Sequence, residues 1–115
     1  MLNNNAITSS TAFKLHQATL LIDRVADEYL VREHGMHYAP FLVLLMARVL
    51  GPTSQQSIAA SLGVSRASVT QRVSALVAEG LLEVEQDPAD SRANIVRLTD
   101  TGAAKTDTAW AGLEH

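Results

Sequence analysis

Apolar residues recur along the first third of the chain at the spacing of an amphipathic helix. Leu15, Ala18, Ile22, Val25 and Tyr29 fall three and four apart, while Asp23, Arg24, Asp27 and Glu28 take other positions. The pattern predicts a helix from Ser10 to about Glu33. Leu20, Leu21, Ala26 and Leu30 widen its apolar surface beyond one stripe. A helix apolar on more than one side packs against two bodies, here its own domain and a second subunit. Leu15, Ala18, Ile22, Val25 and Tyr29 are therefore the expected dimer interface. Burial within a single core is the competing reading.

Gly35 sits in the turn that follows, and Pro40 suits the first position of a second helix. Phe41 to Leu50 is almost continuously apolar, with only Arg48 intruding, so this helix is expected at the centre of the fold. Gly51-Pro52 stops it. Thr53-Ser54-Gln55-Gln56 fits a capping box with Thr53 as the N-cap and Gln56 reaching back. The third helix runs through Ile58, Ala59 and Leu62 to Gly63. Ser65 then caps a fourth helix, with Val69, Val73, Leu76 and Val77 inward and Gly80 at its end. Ala59, Gly63 and the short turn to Ser65 have the spacing of a helix-turn-helix. Its second helix presents Arg66, Ser68, Thr70, Gln71 and Arg72 outward, hydrogen-bonding side chains of the kind that read base edges or clamp phosphates.

The period then shortens to two. Leu81-Leu82-Glu83-Val84-Glu85 reads as a strand, Asp87-Pro88-Ala89-Asp90 as a turn, and Ile95-Val96-Arg97-Leu98 as the returning strand. Thr99 caps a last helix, from Thr101 to about Gly112, that contains Trp110. An arginine held at the tip of a hairpin beside a recognition helix, as Arg92 would be, is a device for gripping two adjacent grooves of duplex DNA. The fold class is thus mainly α with a small β-wing. Residues 1–35 form a dimerisation helix, 36–100 a winged helix-turn-helix and 101–112 the start of a C-terminal dimerisation helix. Residues 113–115, Leu-Glu-His, read as the remnant of an expression tag.

Composition narrows the function. At 115 residues, 47% hydrophobic and 18% charged, the chain is one ordinary folded domain rather than a disordered tail. No run approaches the roughly 18 apolar residues of a membrane span, and Asn3-Asn4-Asn5 does not suit a signal peptide, so a cytoplasmic protein without a membrane partner is expected. The absence of cysteine excludes disulfides and thiolate chemistry. Net charge is −3, and between Thr53 and Lys105 five bases face six acids, a net of −1. Such a balance argues against indiscriminate binding, because affinity for DNA comes largely from Lys and Arg displacing counterions from phosphates. A DNA reader of this composition has to concentrate its positive groups on one face. With no cysteine nucleophile, metal-ligand cluster or Gly-rich phosphate loop, neither an enzyme nor a cofactor is expected.

From about Ala39 to Lys105 the chain resembles the MarR family of bacterial winged-helix regulators. The most specific parts are the run Ser65-Arg66-Ala67-Ser68-Val69-Thr70-Gln71-Arg72-Val73, then Glu79-Gly80-Leu81-Leu82, then the wing motif Asp90-x-Arg92 with Val96-x-Leu98-Thr99 and Gly102. The resemblance implies a homodimer that places two recognition helices in successive major grooves of a pseudopalindrome, with half-sites about 34–36 Å apart. It implies that Arg92 enters the minor groove, that Asp90 orients it, and that Ser65, Arg66, Ser68, Thr70, Gln71 and Arg72 lie on phosphates and base edges. It further implies repression of transcription, in part of the family relieved by a small aromatic effector. Met36, His37, Tyr38, Phe41 and Trp110 are the candidate lining of that pocket, although apolar residues at helical spacing are more often plain core.

Three departures from the family pattern bear on this reading. Ser91 stands beside Arg92 where an extra basic residue is common, and Glu83 and Glu85 occupy a strand that is often basic. The last helix is short, so the first helix is expected to carry more of the dimer interface. Some relatives sense zinc through His and Glu near the first turn plus histidines on the last helix. Glu33, His34 and His37 are present, but that helix offers no native histidine, so solvated turn histidines and no metal are expected. The rival function is a winged-helix protein-interaction module without specific DNA binding. Such modules carry exposed apolar anchors on the recognition helix, whereas Arg66, Ser68, Thr70, Gln71 and Arg72 favour DNA.

Overall fold

A computed structural model describes residues 4–114, with residues 90–93 described by their backbone only. Six helices and one hairpin follow in the order α1 (Asn4–Thr8), α2 (Thr11–His34), α3 (Tyr38–Leu50), α4 (Gln55–Leu62), α5 (Arg66–Ala78), β1 (Leu82–Asp87), β2 (Asp90–Leu98) and α6 (Asp100–Leu113). This is a mainly α winged helix-turn-helix. The chain divides into two units, Met1–Tyr38 and Ala39–His115.

In the first unit, α2 has the expected bounds. Ser10 caps it by accepting from the Phe13 amide at 3.1 Å. Gly35 ends it in the left-handed region, at φ 64°, and the Gly35 and Met36 amides close back on the Val31 and Leu30 carbonyls. Ala26, Leu30 and Met36 are buried. The short helix α1 has no counterpart in the sequence pattern, and its five residues bury no side chain.

The start of α3 departs from the sequence reading. The helix begins at Tyr38, so Pro40 is its third residue rather than its first. Proline is still tolerated there because the first amides of a helix have no partner inside it. The cap comes from a distance: the Asp27 carboxylate accepts from the Tyr38 amide at 2.7 Å.

In the second unit, Phe41, Val43, Leu44 and Ala47 of α3 join Ile58 and Ala59 of α4, Val69, Val73 and Leu76 of α5, and Leu81, Leu82, Val96 and Ala109 as buried residues. The expectation that Val77 points inward is not met. It is 39% exposed, because α5 buries only the narrow stripe of Val69, Val73 and Leu76. Thr53 is not the cap of α4 either. Its amide and carbonyl bridge Val96 in an antiparallel pair, at 3.0 and 2.7 Å, which adds a short third rung to the wing. Ser54 takes the capping role, accepting from the Ser57 amide at 3.1 Å.

The wing is longer and its turn tighter than the sequence suggests. Strands β1 and β2 pair from Leu82 with Leu98 to Gln86 with Asn94; Asp87 then pairs with Asp90. That jump in register leaves residues 91–93 of β2 without an opposite number. Asp87 accepts from the Ala89 amide at 2.9 Å, an Asx turn that shapes the tip. Thr99 caps α6 as expected, accepting from the Gly102 amide at 3.0 Å and donating to the Gly80 carbonyl at 2.6 Å. Gly102 lies so close to Leu81 that a Cβ there would fall 2.9 Å from the Leu81 carbonyl carbon. The last helix is thereby seated on the chain just ahead of β1.

Candidate nucleic-acid interface

Helix α5 carries the candidate DNA-reading side chains, and its N-terminus is built as the sequence predicts. Ser65 has extended backbone, and its hydroxyl accepts from the Ser68 amide at 3.1 Å. The hydroxyl that satisfies this amide is engaged in holding the helix end. Gly63, at φ 67°, lets the chain reverse between α4 and α5, and the Val64 amide closes the turn on the Ala59 carbonyl at 3.1 Å. The interior stripe Val69, Val73 and Leu76 fixes the rotation of α5, and this leaves Arg66, Thr70 and Gln71 exposed and Ser68 and Arg72 outside the buried stripe. Structure and sequence thus agree on Arg66, Thr70 and Gln71, while Ser68 and Arg72 are half-buried and Val77 joins the exposed face.

The electrostatics of that face turn on which cations already have a carboxylate. Among the described residues the ion pairs are Arg32 with Glu33, His37 with Asp27, Arg48 with Asp107 and Arg97 with Glu85. Arg66 and Arg72 have no carboxylate partner in that set, so their charge is available to phosphates. Arg97 differs. It reaches diagonally across the hairpin to Glu85, since Glu83 is its direct opposite and Glu85 pairs with Ile95. The acidic strand therefore neutralises the one described arginine of the wing. The side chains of Asp90 and Arg92 lie outside the described residues; their backbone belongs to β2 at the tip, where the register jumps.

Thr70 is exposed, yet its hydroxyl is not idle. It donates to the Gln55 side-chain oxygen at 2.6 Å, with the Arg66 carbonyl as a second acceptor at 2.9 Å. Gln55 escaped the sequence reading because its partner is 15 residues away on another helix. A capping pattern reports only on neighbours within a turn. The one available signal was a glutamine at the start of the first helix of a helix-turn-helix.

The remaining candidates fall into separate places. On α2, Leu15, Ile22 and Val25 are 66%, 63% and 57% exposed; Ala18 is exposed and Tyr29 half-buried, its hydroxyl 3.4 Å from His34. His37 is exposed and pairs with Asp27 at 3.1 Å, and the Tyr38 amide holds the Asp27 carboxyl below the ordinary aspartate range. Burial pushes the Tyr38 phenol up. Of the proposed effector lining, Met36 and Phe41 are buried, Tyr38 is half-buried, and Trp110 is exposed beside a cleft of about 350 Å³. Leu45, Arg48, Val49, Thr106 and Asp107 complete that cleft. Among the described residues no helix is long and apolar enough to cross a membrane.

A capped helix-turn-helix with a polar, cation-bearing second helix and an antiparallel wing defines a winged-helix protein. Residues 38–93 match the model of the MarR family. The chain is 37% identical over 71 residues to the uncharacterised HTH-type transcriptional regulator YkoM of Bacillus subtilis, covering 62% of this chain and 46% of that protein. It is 37% identical over 67 residues to the HTH-type transcriptional repressor NicR of Pseudomonas putida, covering 58% and 42%. Among solved structures, it superposes with a TM-score of 0.82 on a mutant MarR from E. coli complexed with operator DNA, at 25% identity, covering 94% of this chain and 76% of that one. Over its helix-turn-helix and wing the chain is similar to regulators of the MarR family. It spans less than half the length of the two regulators above.

Proposed function

We propose that the chain is the DNA-reading part of a transcriptional regulator, not an enzyme, and that it works as a homodimeric repressor on a pseudopalindromic operator. The observation that carries this reading is the exposed face of α5: Arg66 and Gln71 stand in solvent, and Arg66 and Arg72 are unpaired with any described carboxylate. Unpaired cations beside amide and hydroxyl groups suit a phosphate-lined groove and do not suit an apolar protein contact. The superposition on a MarR protein bound to operator DNA supports the same use of the face. In this reading Ser68, Gln71 and Arg72 join Arg66 on phosphates and base edges, and the Ser65 hydroxyl serves the helix cap. Arg92, oriented by Asp90, enters the minor groove from the wing tip.

The exposed apolar stripe of α2, with Leu15, Ile22 and Val25 each more than half exposed, supports the first helix as the dimer interface. A single Leu, Ile or Val removed from water contributes roughly 1.5–3 kcal/mol, so two copies of such a stripe drive association. A small aromatic effector fits the half-exposed Trp110 and its cleft better than it fits the buried Met36 and Phe41.

Selection of the protein against a random duplex library near physiological salt, with Arg92→Ala in parallel, tests the proposal. An enriched inverted repeat that depends on Arg92 is the expected result. Binding that is weak, unselective and lost with rising salt would sink it and favour the protein-interaction reading.

A further inference from the structure

The contact between Thr70 and Gln55 assigns a role to a residue outside the recognition helix. A threonine hydroxyl has one hydrogen to give. On Thr70 both acceptors within reach, the Gln55 oxygen at 2.6 Å and the Arg66 carbonyl at 2.9 Å, belong to the protein. The hydrogen is therefore spent internally, and Thr70 faces solvent with lone pairs and a methyl group. Lone pairs repel phosphate oxygens, so Thr70 is poorly equipped to clamp the backbone. The amide of Gln55 is left in the opposite condition. Its oxygen is tied to α5, and its two N–H groups have no acceptor among the described residues.

We propose that Gln55 is a further DNA-contacting residue, and that Thr70 acts as its positioning residue by locking the amide so that the N–H groups meet a phosphate oxygen. The inference rests on the DNA-binding reading above. The first helix of a helix-turn-helix crosses the phosphate backbone while the second enters the groove, and Gln55 is the first residue of α4. A fixed side chain also loses less rotational freedom on binding than a free glutamine, whose ordering is costly. The contact is neutral, so it adds affinity without displacing a counterion. In a chain of net charge −3 that is a way to hold a backbone without further cations.

Four variants of the full chain, measured on the selected duplex over a salt series, test the assignment. Gln55→Glu keeps an acceptor for Thr70 but turns a carboxylate toward the phosphate; a loss of roughly ten- to a hundredfold, equal on all sequences, is expected. Gln55→Ala loses affinity while the slope of log K against log salt stays as in wild type, whereas Arg66→Ala lowers that slope by about one. Thr70→Val keeps shape and removes the hydroxyl; it weakens binding and leaves the ranking of mismatched base pairs unchanged. Unaltered circular dichroism and melting temperature confirm that each variant folds. Wild-type affinity in Gln55→Glu overturns the contact, and a changed ranking in Thr70→Val means that Thr70 reads bases itself. If wild type selects no duplex at all, the DNA reading fails together with this one. Selection by wild type with unaffected variants removes this inference alone.

Discussion

Replacing Gly102 with alanine probes how the wing is held. By intrinsic propensity the change should help, because alanine is favoured over glycine inside a helix by about 1 kcal/mol. Packing predicts the opposite. An alanine Cβ would lie 2.9 Å from the Leu81 carbonyl carbon and 3.2 Å from its Cα, and would overlap the carbonyl oxygen. Carbon atoms rest about 3.5–4.0 Å apart, so the first turn of α6 must retreat by more than half an ångström. What it meets is backbone, which has no rotamer to change. Retreat also strains the bonds that seat the helix: the Thr99 amide to the Leu81 carbonyl at 3.2 Å and the Thr99 hydroxyl to the Gly80 carbonyl at 2.6 Å. Overpacking costs about 1–3 kcal/mol and a weakened hydrogen bond about 1 kcal/mol, which outweighs the propensity gain. The net expectation is a loss of about 1–3 kcal/mol, or a fall in Tm of roughly 5–15 °C. Urea and thermal unfolding followed by circular dichroism measure it, with Ala104→Gly, exposed on the same helix, as the control for propensity alone. Since Leu81 immediately precedes β1, DNA affinity should fall as well. A Gly102→Ala protein at least as stable as wild type would refute the close approach and the seating argument built on it.

Further outcomes follow from the caps and the exposed helix face. Ser54→Ala should cost about 0.5–2 kcal/mol by removing the cap of α4, while Thr53→Ala should be nearly neutral, since Thr53 contributes through its backbone bridge to Val96; urea midpoints that rank the two the other way would restore Thr53 as the cap. Folding lowers the Asp27 pKa, chiefly through the Tyr38 amide, so its stabilisation is full above the ordinary aspartate value of about 3.9 and is lost as pH falls through the lower folded value. The Tm difference between wild type and Asp27→Asn should accordingly shrink as pH drops below about 4, and a difference that persists unchanged in acid would count against the cap. Ile22→Glu places a charge in the exposed α2 stripe and should shift the proposed homodimer toward monomer in sedimentation; a dimer that forms unchanged would move the interface elsewhere.

Sequence alone determined what depends on neighbours within a turn or two. The period of Leu15 to Tyr29 marked α2, Ser65 marked the start of α5, and Gly35 and Gly63 marked reversals that need a left-handed residue. Each of these signals acts over four residues or fewer, so it survives in a one-dimensional string. The polar face of α5 was legible for the same reason, because Val69, Val73 and Leu76 fix its rotation. Tertiary structure decided whatever depends on which distant segments meet. Asp27 caps a helix that begins 11 residues later, Val96 draws Thr53 out of its capping box, and Gln55 takes the hydroxyl hydrogen of Thr70. In the string Thr53 has the better claim as cap, because Gln56 completes its capping box, whereas Ser57 stands three residues after Ser54. Only the arrival of β2 beside Thr53 gives its backbone a better partner than the helix end offers, and the cap passes one residue along.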